Sequence, residues 1–304
     1  MATTLSTAAR RLAGRLLGTA LVLGGLACGP GAAAVPAQGV GVAVLQDGEP
    51  AQNTEFVRHL QGGPAQAGRF TVSVGANAAR AAIERPGNEP VVLTLLTRLE
   101  FESLKALPAW QRADRRIGVL LRDPAMAAQL AVVDAVLPRK RRLGVIATVE
   151  SEPLLRELRS AAQGWDLRVE YAPDAQSLAA VLRTLLPGSD ALMVLPDLIG
   201  DDQAATLAVL RAAAAAGVPV FGACDGLVRS GGLAAAVSTP PQLARQAQAL
   251  GRKIAAASSP PSGQAALVET AAVSTVKVNA SVARALGLRL PGERELTERV
   301  TAAR

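Results

Sequence analysis

From residue 39 onward, short runs rich in Val, Leu and Ile alternate with Ala-rich stretches whose apolar residues recur every three or four positions. Such alternation is the pattern of parallel sheets covered by helices. It predicts nine strands, at Gly39 to Leu45, Phe70 to Val74, Val91 to Leu95, Ile117 to Leu121, Leu143 to Ala147, Leu167 to Tyr171, Ala191 to Leu195, Val218 to Phe221 and Leu233 to Val237. They fall into two near-equal sets divided near residue 123.

The helix between the sets has the strongest signals. Asp123 is placed to cap it, Pro124 to occupy its first turn, and Met126, Leu130, Val133 and Leu137 to share one face, with Pro138 stopping it. A second helix opens at Thr239 and Pro240 and puts Leu243, Ala247, Leu250 and Ile254 on one stripe. The run SSPPSG at 258–263 then reads as a linker. A third helix spans about 202 to 216, closed by Gly217 in the left-handed conformation with Pro219 beyond. Asn279 is placed to cap a short helix that Gly287 ends.

The first 37 residues read differently. Arg10, Arg11 and Arg15 give a basic start, Leu16 to Ala27 form an apolar run too short to span a bilayer, and small residues follow. This is the pattern of an export signal, with cleavage sites at 32–34 or 35–37; a rival reading makes Cys28 the lipid-bearing residue of a lipoprotein. The expected location is the periplasm. Without the leader the net charge falls from +7 to +4. The one dense basic run, Arg139-Lys140-Arg141-Arg142, has no interleaved aromatic and reads as a solvated turn, so nucleic acid is not the expected partner. One cysteine remains after cleavage at residue 37, which leaves stability to burial.

The chemistry-bearing residues form no catalytic constellation. His59, the single histidine, lies on an amphipathic helix, which excludes the usual Ser-His-Asp triad and any multi-histidine zinc site. Cys224 has neither a histidine nearby in sequence nor a second cysteine to share a two-base mechanism. Gly75 lies between a strand and a helix in VGANAARAA, where backbone N–H groups can meet an anion, but the Gly-Lys-Ser/Thr ending of a Walker loop is absent. Asp201 and Asp202 read as helix-start residues, and Asp225 as a helix cap in preference to a ligand group. No metal or cofactor is expected.

Several segments together carry a resemblance. SVGANAARAA, IGVLLRDPAMAAQLAVVDAVLP followed by RRLGVIAT, DALMVLPD, VPVFGACDGLVRSGGLAAAVS and VKVNASVARALGLRLP occur in the order and spacing of one family. They resemble the periplasmic substrate-binding proteins of ABC transport systems, the group that includes tryptophan-type binding proteins. The chain departs from that family at ATVESEP, where an Asn-Pro-rich loop is usual, in a short helix around Phe56, and in a compressed segment from Thr97 to Arg116.

The resemblance implies an α/β fold of two Rossmann-like lobes of the type I periplasmic-binding kind, joined by three crossings near 122–123, 238–239 and 263–267. The lobes would comprise residues 38–123 with 238–262, and 124–237 with 263–304. It also implies a monomeric, non-enzymatic receptor that closes on a small polar solute, an amino acid or similar, and delivers it to an inner-membrane permease. Two alternatives are a sensory module docking on a receptor kinase or outer-membrane uptake system, and a racemase-like enzyme using Cys224. Strand ends facing the crevice supply the candidate ligand contacts: Gln46, Asp47, Gly75, Ala76, Asn77, Asp123, Thr148, Asp197, Cys224, Asp225 and Ser238.

Overall fold

A computed structural model describes residues 42–46, 51–62, 69–112, 115–174, 176–257 and 266–302. The leader, Cys28, Asp47 and the linker at 258–263 lie outside these residues. The described residues belong to one compact unit within 34–304.

The chain begins with β1 (Val42–Gln46), α1 (Ala51–Gln61), β2 (Phe70–Val74), α2 (Ala76–Glu84), β3 (Val91–Leu96), α3 (Arg98–Lys105) and β4 (Ile117–Pro124). It continues through α4 (Met126–Val136), β5 (Arg142–Ala147), α5 (Glu152–Ala161), β6 (Asp166–Tyr171), α6 (Leu178–Leu185), β7 (Ala191–Val194), α7 (Leu198–Asp201) and α8 (Gln203–Ala215). Next come β8 (Val220–Phe221), α9 (Asp225–Arg229), β9 (Ala234–Val237), α10 (Pro240–Ala256), β10 (Leu267–Ala271), β11 (Thr275–Val278), α11 (Ala280–Ala285) and α12 (Glu293–Ala302).

These strands build two sheets. The first has the order β1-β2-β3-β4-β10 and is parallel throughout. The second has the order β11-β9-β8-β7-β5-β6 and is parallel except for β11, which runs antiparallel to β9. Each sheet is covered on both faces, which is why its central strands read as unbroken apolar runs. On the first sheet, one face packs Phe56, Leu60, Phe70, Leu243, Ala247, Leu250 and Ile254, and the other packs Ile83, Leu93, Phe101 and Trp110. Helix α10 comes close enough that a Cβ at Gly251 would lie 2.2 Å from the Phe70 ring, and one at Gly118 2.9 Å from Leu250.

All nine predicted strands are found, with ends shifted by up to three residues where described. Strands β10 and β11 were not predicted. Strand β10 moves a boundary: residues 267–271 pair with β4 in the first sheet, although the sequence reading assigned 263–304 to the second lobe. The Gln246 side chain fixes this edge, donating to the Thr270 carbonyl at 2.8 Å and accepting from the Ala272 N–H at 2.9 Å. The chain therefore passes between sheets at 271–275, not at 263–267. Strand β4 ends in the first sheet and the next strand, β5, lies in the second, while β9 ends in the second and the following α10 packs on the first.

Helix α4 also differs from its sequence reading. Strand β4 continues through Pro124, the cap position falls to Ala125, and Asp123 turns its carboxylate to Arg122 instead of the helix. Burial is wider than one face, since Ala128, Gln129, Val132 and Val136 are buried along with Met126, Leu130 and Val133. Four other helix-end readings agree: Asp202 accepts from the Ala205 N–H, Asn279 from the Ser281 and Val282 N–H groups, and Gly217 and Gly287 close their helices at φ 67°.

Candidate functional site

The two sheets meet along a cleft lined by Arg98, Leu121, Asp123, Pro124, Ala125, Met126, Leu154, Glu157, Pro196 and Thr270. Each enters from a strand end or an adjoining helix. Leu95 holds φ 56° at an irregularity in the β3–β4 register, and Thr97 then starts α3 with a capping box: its Oγ1 accepts from the Glu100 N–H while the Glu100 carboxylate accepts from the Thr97 N–H. That start puts Arg98 in the first turn, at the cleft. Asp123 arrives on the end of β4. Leu154 and Glu157, three residues apart, share one face of α5.

Two ion pairs span the cleft. Arg98 on the first-sheet side meets Glu157 at 3.2 Å, both side chains about one quarter exposed, and Arg122 meets Asp201 at 3.4 Å. The other Glu157 oxygen accepts from the Met126 N–H at 2.8 Å, capping the helix that Asp123 does not cap. Asp123 takes Arg122 on Oδ1 at 3.2 Å, while its buried Oδ2 has no hydrogen-bond partner among the described residues. Burial pushes the Asp123 carboxyl above the usual carboxylate range, against the pull of Arg122. The cleft holds about 250 Å³ including its open mouth, yet only about 10 Å³ of it is free for the centre of a water molecule. That is room for about one water, so the side chains close this space on themselves.

The predicted contact residues divide into groups. Asp123 lines the cleft. Thr148 and Asp197 are brought together, but in a buried network of their own: the Ser151 hydroxyl donates to Asp197 at 2.5 Å and lies 2.9 Å from the Thr148 hydroxyl. Asp197 is 1% exposed, also accepts from the Ile199 and Gly200 N–H groups, and is pushed up by burial against those hydrogen bonds. Gly75, at φ 91°, donates its N–H to the Thr94 carbonyl ahead of α2, with Ala76 half-buried and Asn77 exposed. Gln46 is exposed at the end of β1. Ser238 is half-buried beyond β9, with a buried hydroxyl that has no hydrogen-bond partner among the described residues.

Cys224 and Asp225 exchange roles relative to the sequence reading. The exposed Cys224 caps α9, its sulfur accepting from the Leu227 N–H at 3.4 Å, because Asp225 is already the first helical residue. Asp225 pairs instead with Arg229 one turn on, and borders an open groove made of second-sheet elements, among them Lys277, Asn279 and Glu293. His59 is exposed and lies 3.8 Å from Glu55. The basic run is drawn around one carboxylate: Asp190 accepts from Arg142 at 2.9 Å, Lys140 at 3.4 Å and the Arg141 N–H at 3.3 Å, and Arg142 foremost holds it well below the usual carboxylate range.

Arg98 follows the end of β3 and Arg122 lies near the end of β4, the kind of place where the strand-end rule seeks contacts, although neither is among the candidates, whereas Glu157 and Thr270 carry no such signal. Glu157 sits within an ordinary amphipathic helix, and Thr270 in a strand the sequence did not announce. Only the approach of the two sheets gives either a place in the cleft.

Two parallel α/β sheets with an ion-paired cleft between their strand ends define a ligand-receiving class of protein. Known proteins narrow the class. The sequence pattern of the family described as "ABC transporter substrate binding protein" matches residues 48–297, and the chain belongs to that family. No curated protein sequence matches it.

Solved structures share the fold. The ligand-free, open structure of CD0873, a substrate binding protein with adhesive properties from Clostridium difficile, is 17% identical with a TM-score of 0.62, over 83% of this chain and 96% of that one. A conserved domain protein from Vibrio cholerae is 19% identical with a TM-score of 0.57, over 85% and 97%. The ABC domain from Streptococcus pneumonia in complex with L-Trp is 15% identical with a TM-score of 0.55, over 86% and 98%. The chain is thus a substrate-binding protein of an ABC system, built to hold a ligand.

Proposed function

We propose that this protein captures a small polar solute in the periplasm and delivers it to an inner-membrane permease, without chemical turnover. The observation that carries the reading is the cleft itself: charged groups from both sheets converge there, and a buried carboxylate oxygen of Asp123 has no hydrogen-bond partner among the described residues. A buried polar group left unpaired is costly, and a solute with a hydrogen-bond donor supplies what Asp123 lacks. Solute sites of ordinary size enclose about 300–1,000 Å³, so entry requires the sheets to part and close again. None of the cleft residues is aromatic, which favours an aliphatic solute over one held by ring stacking. The export-type leader supports the periplasmic location, and because both walls of the cleft come from one chain, a monomer suffices to hold the solute.

A thermal-shift screen of the protein against amino acids, amines, small peptides, purines and sugars tests the proposal. A receptor that binds its solute in the folded state is stabilised by mass action, by about 2.7 kcal/mol at a hundredfold excess over Kd. For a chain of this size that raises the melting temperature by roughly 5–10 °C. A melting temperature unmoved by every class would sink it.

A further inference from the structure

The contacts of Glu157 lead past the general reading. Its two carboxylate oxygens are used separately, Oε1 by the Met126 N–H at 2.8 Å and Oε2 by the Arg98 guanidinium at 3.2 Å. Met126 opens an eleven-residue helix whose cap residue, Ala125, has no side-chain acceptor to offer. The positive end of α4 therefore faces the cleft and attracts an anion. Arg98, whose fork of donors matches a carboxylate, completes the pair of donors from the opposite sheet. The partnerless oxygen of Asp123 lies in the same lining.

We infer that Glu157 holds the place of the ligand's own carboxylate: Arg98 and the Met126 N–H form a carboxylate site that Glu157 fills until a carboxylate-bearing solute displaces it. This rests on the solute-binding reading above and adds to it the ligand's chemical class and a built-in competitor. Glu157 and Met126 both belong to second-sheet elements, whereas Arg98 comes from the first. Parting the sheets thus breaks the Arg98 contact alone and frees the guanidinium for an incoming solute. Glu157 is half-buried on a flexible stem, so it can swing from the helix end toward water without disturbing the buried Leu154, Leu155 and Leu158 behind it. A solute that also bears an ammonium group finds an acceptor in Asp123, which favours amino acids over simple carboxylic acids. The competition sets affinity and screens out solutes without an anion, because those leave Glu157 in place and gain no access to Arg98.

The test is calorimetric titration of the wild type, Glu157→Ala, Glu157→Gln and Arg98→Gln with acetate, L-leucine, L-glutamate and β-alanine, each amino acid paired with its amide. In Glu157→Ala the carboxylates should bind about tenfold more tightly than in the wild type, with the amides unchanged. Arg98→Gln should erase the preference for carboxylate over amide. Glu157→Gln keeps the shape and the acceptor for the Met126 N–H but loses the charge, so it should show the same direction of change if the alanine variant folds poorly. Equal or weaker carboxylate binding in both Glu157 variants overturns the inference. Binding of amides, amines or sugars in preference to carboxylates overturns it as well while leaving the solute-binding reading intact, and no binding of any solute by wild type or variants ends both.

Discussion

Replacing Gln129 tests how the second sheet is completed beside the crossing. Strand β8 is two residues long and pairs with β9 only at Phe221 and Ala234, so the β9 backbone beyond that point lacks a neighbouring strand on that side. Gln129 of α4 takes the vacant place: its amide nitrogen donates to the Ala236 carbonyl at 2.8 Å, and its carbonyl accepts from the Ala236 N–H at 3.0 Å. The side chain is 1% exposed, so no water stands ready to substitute. Gln129→Leu removes both bonds and leaves two buried backbone groups unpaired, each costing about 1–3 kcal/mol, against about 1 kcal/mol regained from the added apolar burial. The net loss is about 1–5 kcal/mol, read as a lower urea midpoint with an unchanged slope. Gln129→Glu sharpens the test, because the ionised acid keeps the acceptor but loses the donor. When protonated it recovers an O–H for the Ala236 carbonyl. Burial raises the pKa of the introduced carboxyl, so its penalty should be largest at neutral pH and shrink as pH falls through that raised value. A leucine variant that loses less than about 1 kcal/mol, or a glutamate variant whose deficit ignores pH, would refute the bridging role.

Two further outcomes follow from the packing and the charges. Gly251→Ala should destabilise the protein although alanine is the better helix former by about 1 kcal/mol. The new methyl would press on the Phe70 ring, 2% exposed and unable to retreat, at an overpacking cost of about 1–3 kcal/mol or more; a higher melting temperature in the variant would contradict the fit of α10 on β2. Asp123→Asn should stabilise the protein without ligand at neutral pH, because burial holds the folded pKa of Asp123 above its unfolded value near 3.9. The cost of ionising it is absent below the unfolded pKa and grows as pH rises through the folded one, so the gain should fade below about pH 4. Melting temperatures that stay equal to wild type from pH 4 to pH 8 would show that Asp123 carries no such cost.

Legibility from sequence followed burial. Strands buried on both faces, such as β2 and β7, announce themselves as apolar runs. Strands β10 and β11 are only partly buried and carry Glu269, Thr270 and Lys277, so their pattern resembles a polar loop. The Thr97-Arg98-Leu99-Glu100 start of α3 is a capping-box signature readable in one dimension. The cap of α4 is not, because its acceptor, Glu157, lies thirty-one residues away and reaches Met126 only after α5 packs beside α4. The strand-end rule returned Asp123, which lines the cleft, and equally Thr148 and Asp197, whose polar groups are joined to each other through Ser151. A one-dimensional pattern locates the rim of a cleft; which rim residues face inward is settled by partners that sequence does not reveal.

The three passages between sheets and the cleft they border are held by different kinds of bond, and this difference bears on the opening that the proposed function requires. At the passages, neutral side chains bind backbone: Gln129 to Ala236 near the first, the Ser274 hydroxyl accepting from the Thr239 N–H at 3.1 Å across the second and third, and Gln246 to Thr270 and Ala272 at the third. Salt leaves these bonds intact, and breaking the Gln129 and Gln246 pairs would strand half-buried or buried backbone groups. Across the cleft, by contrast, stand Arg98 with Glu157 and Arg122 with Asp201, both partly exposed. Pairs of that kind are worth about 0–1 kcal/mol each and weaken with ionic strength. On the solute-binding reading proposed above, parting the sheets would give up these two ion pairs and the packing of Leu99 on the second-sheet core while the passages keep their hydrogen bonds, and the motion would turn about residues 122–125, 238–240 and 271–275. Under the inference drawn above, a solute that takes the place of Glu157 on Arg98 would restore an ion pair at closure, and that difference would bias the molecule toward the closed form when ligand is present.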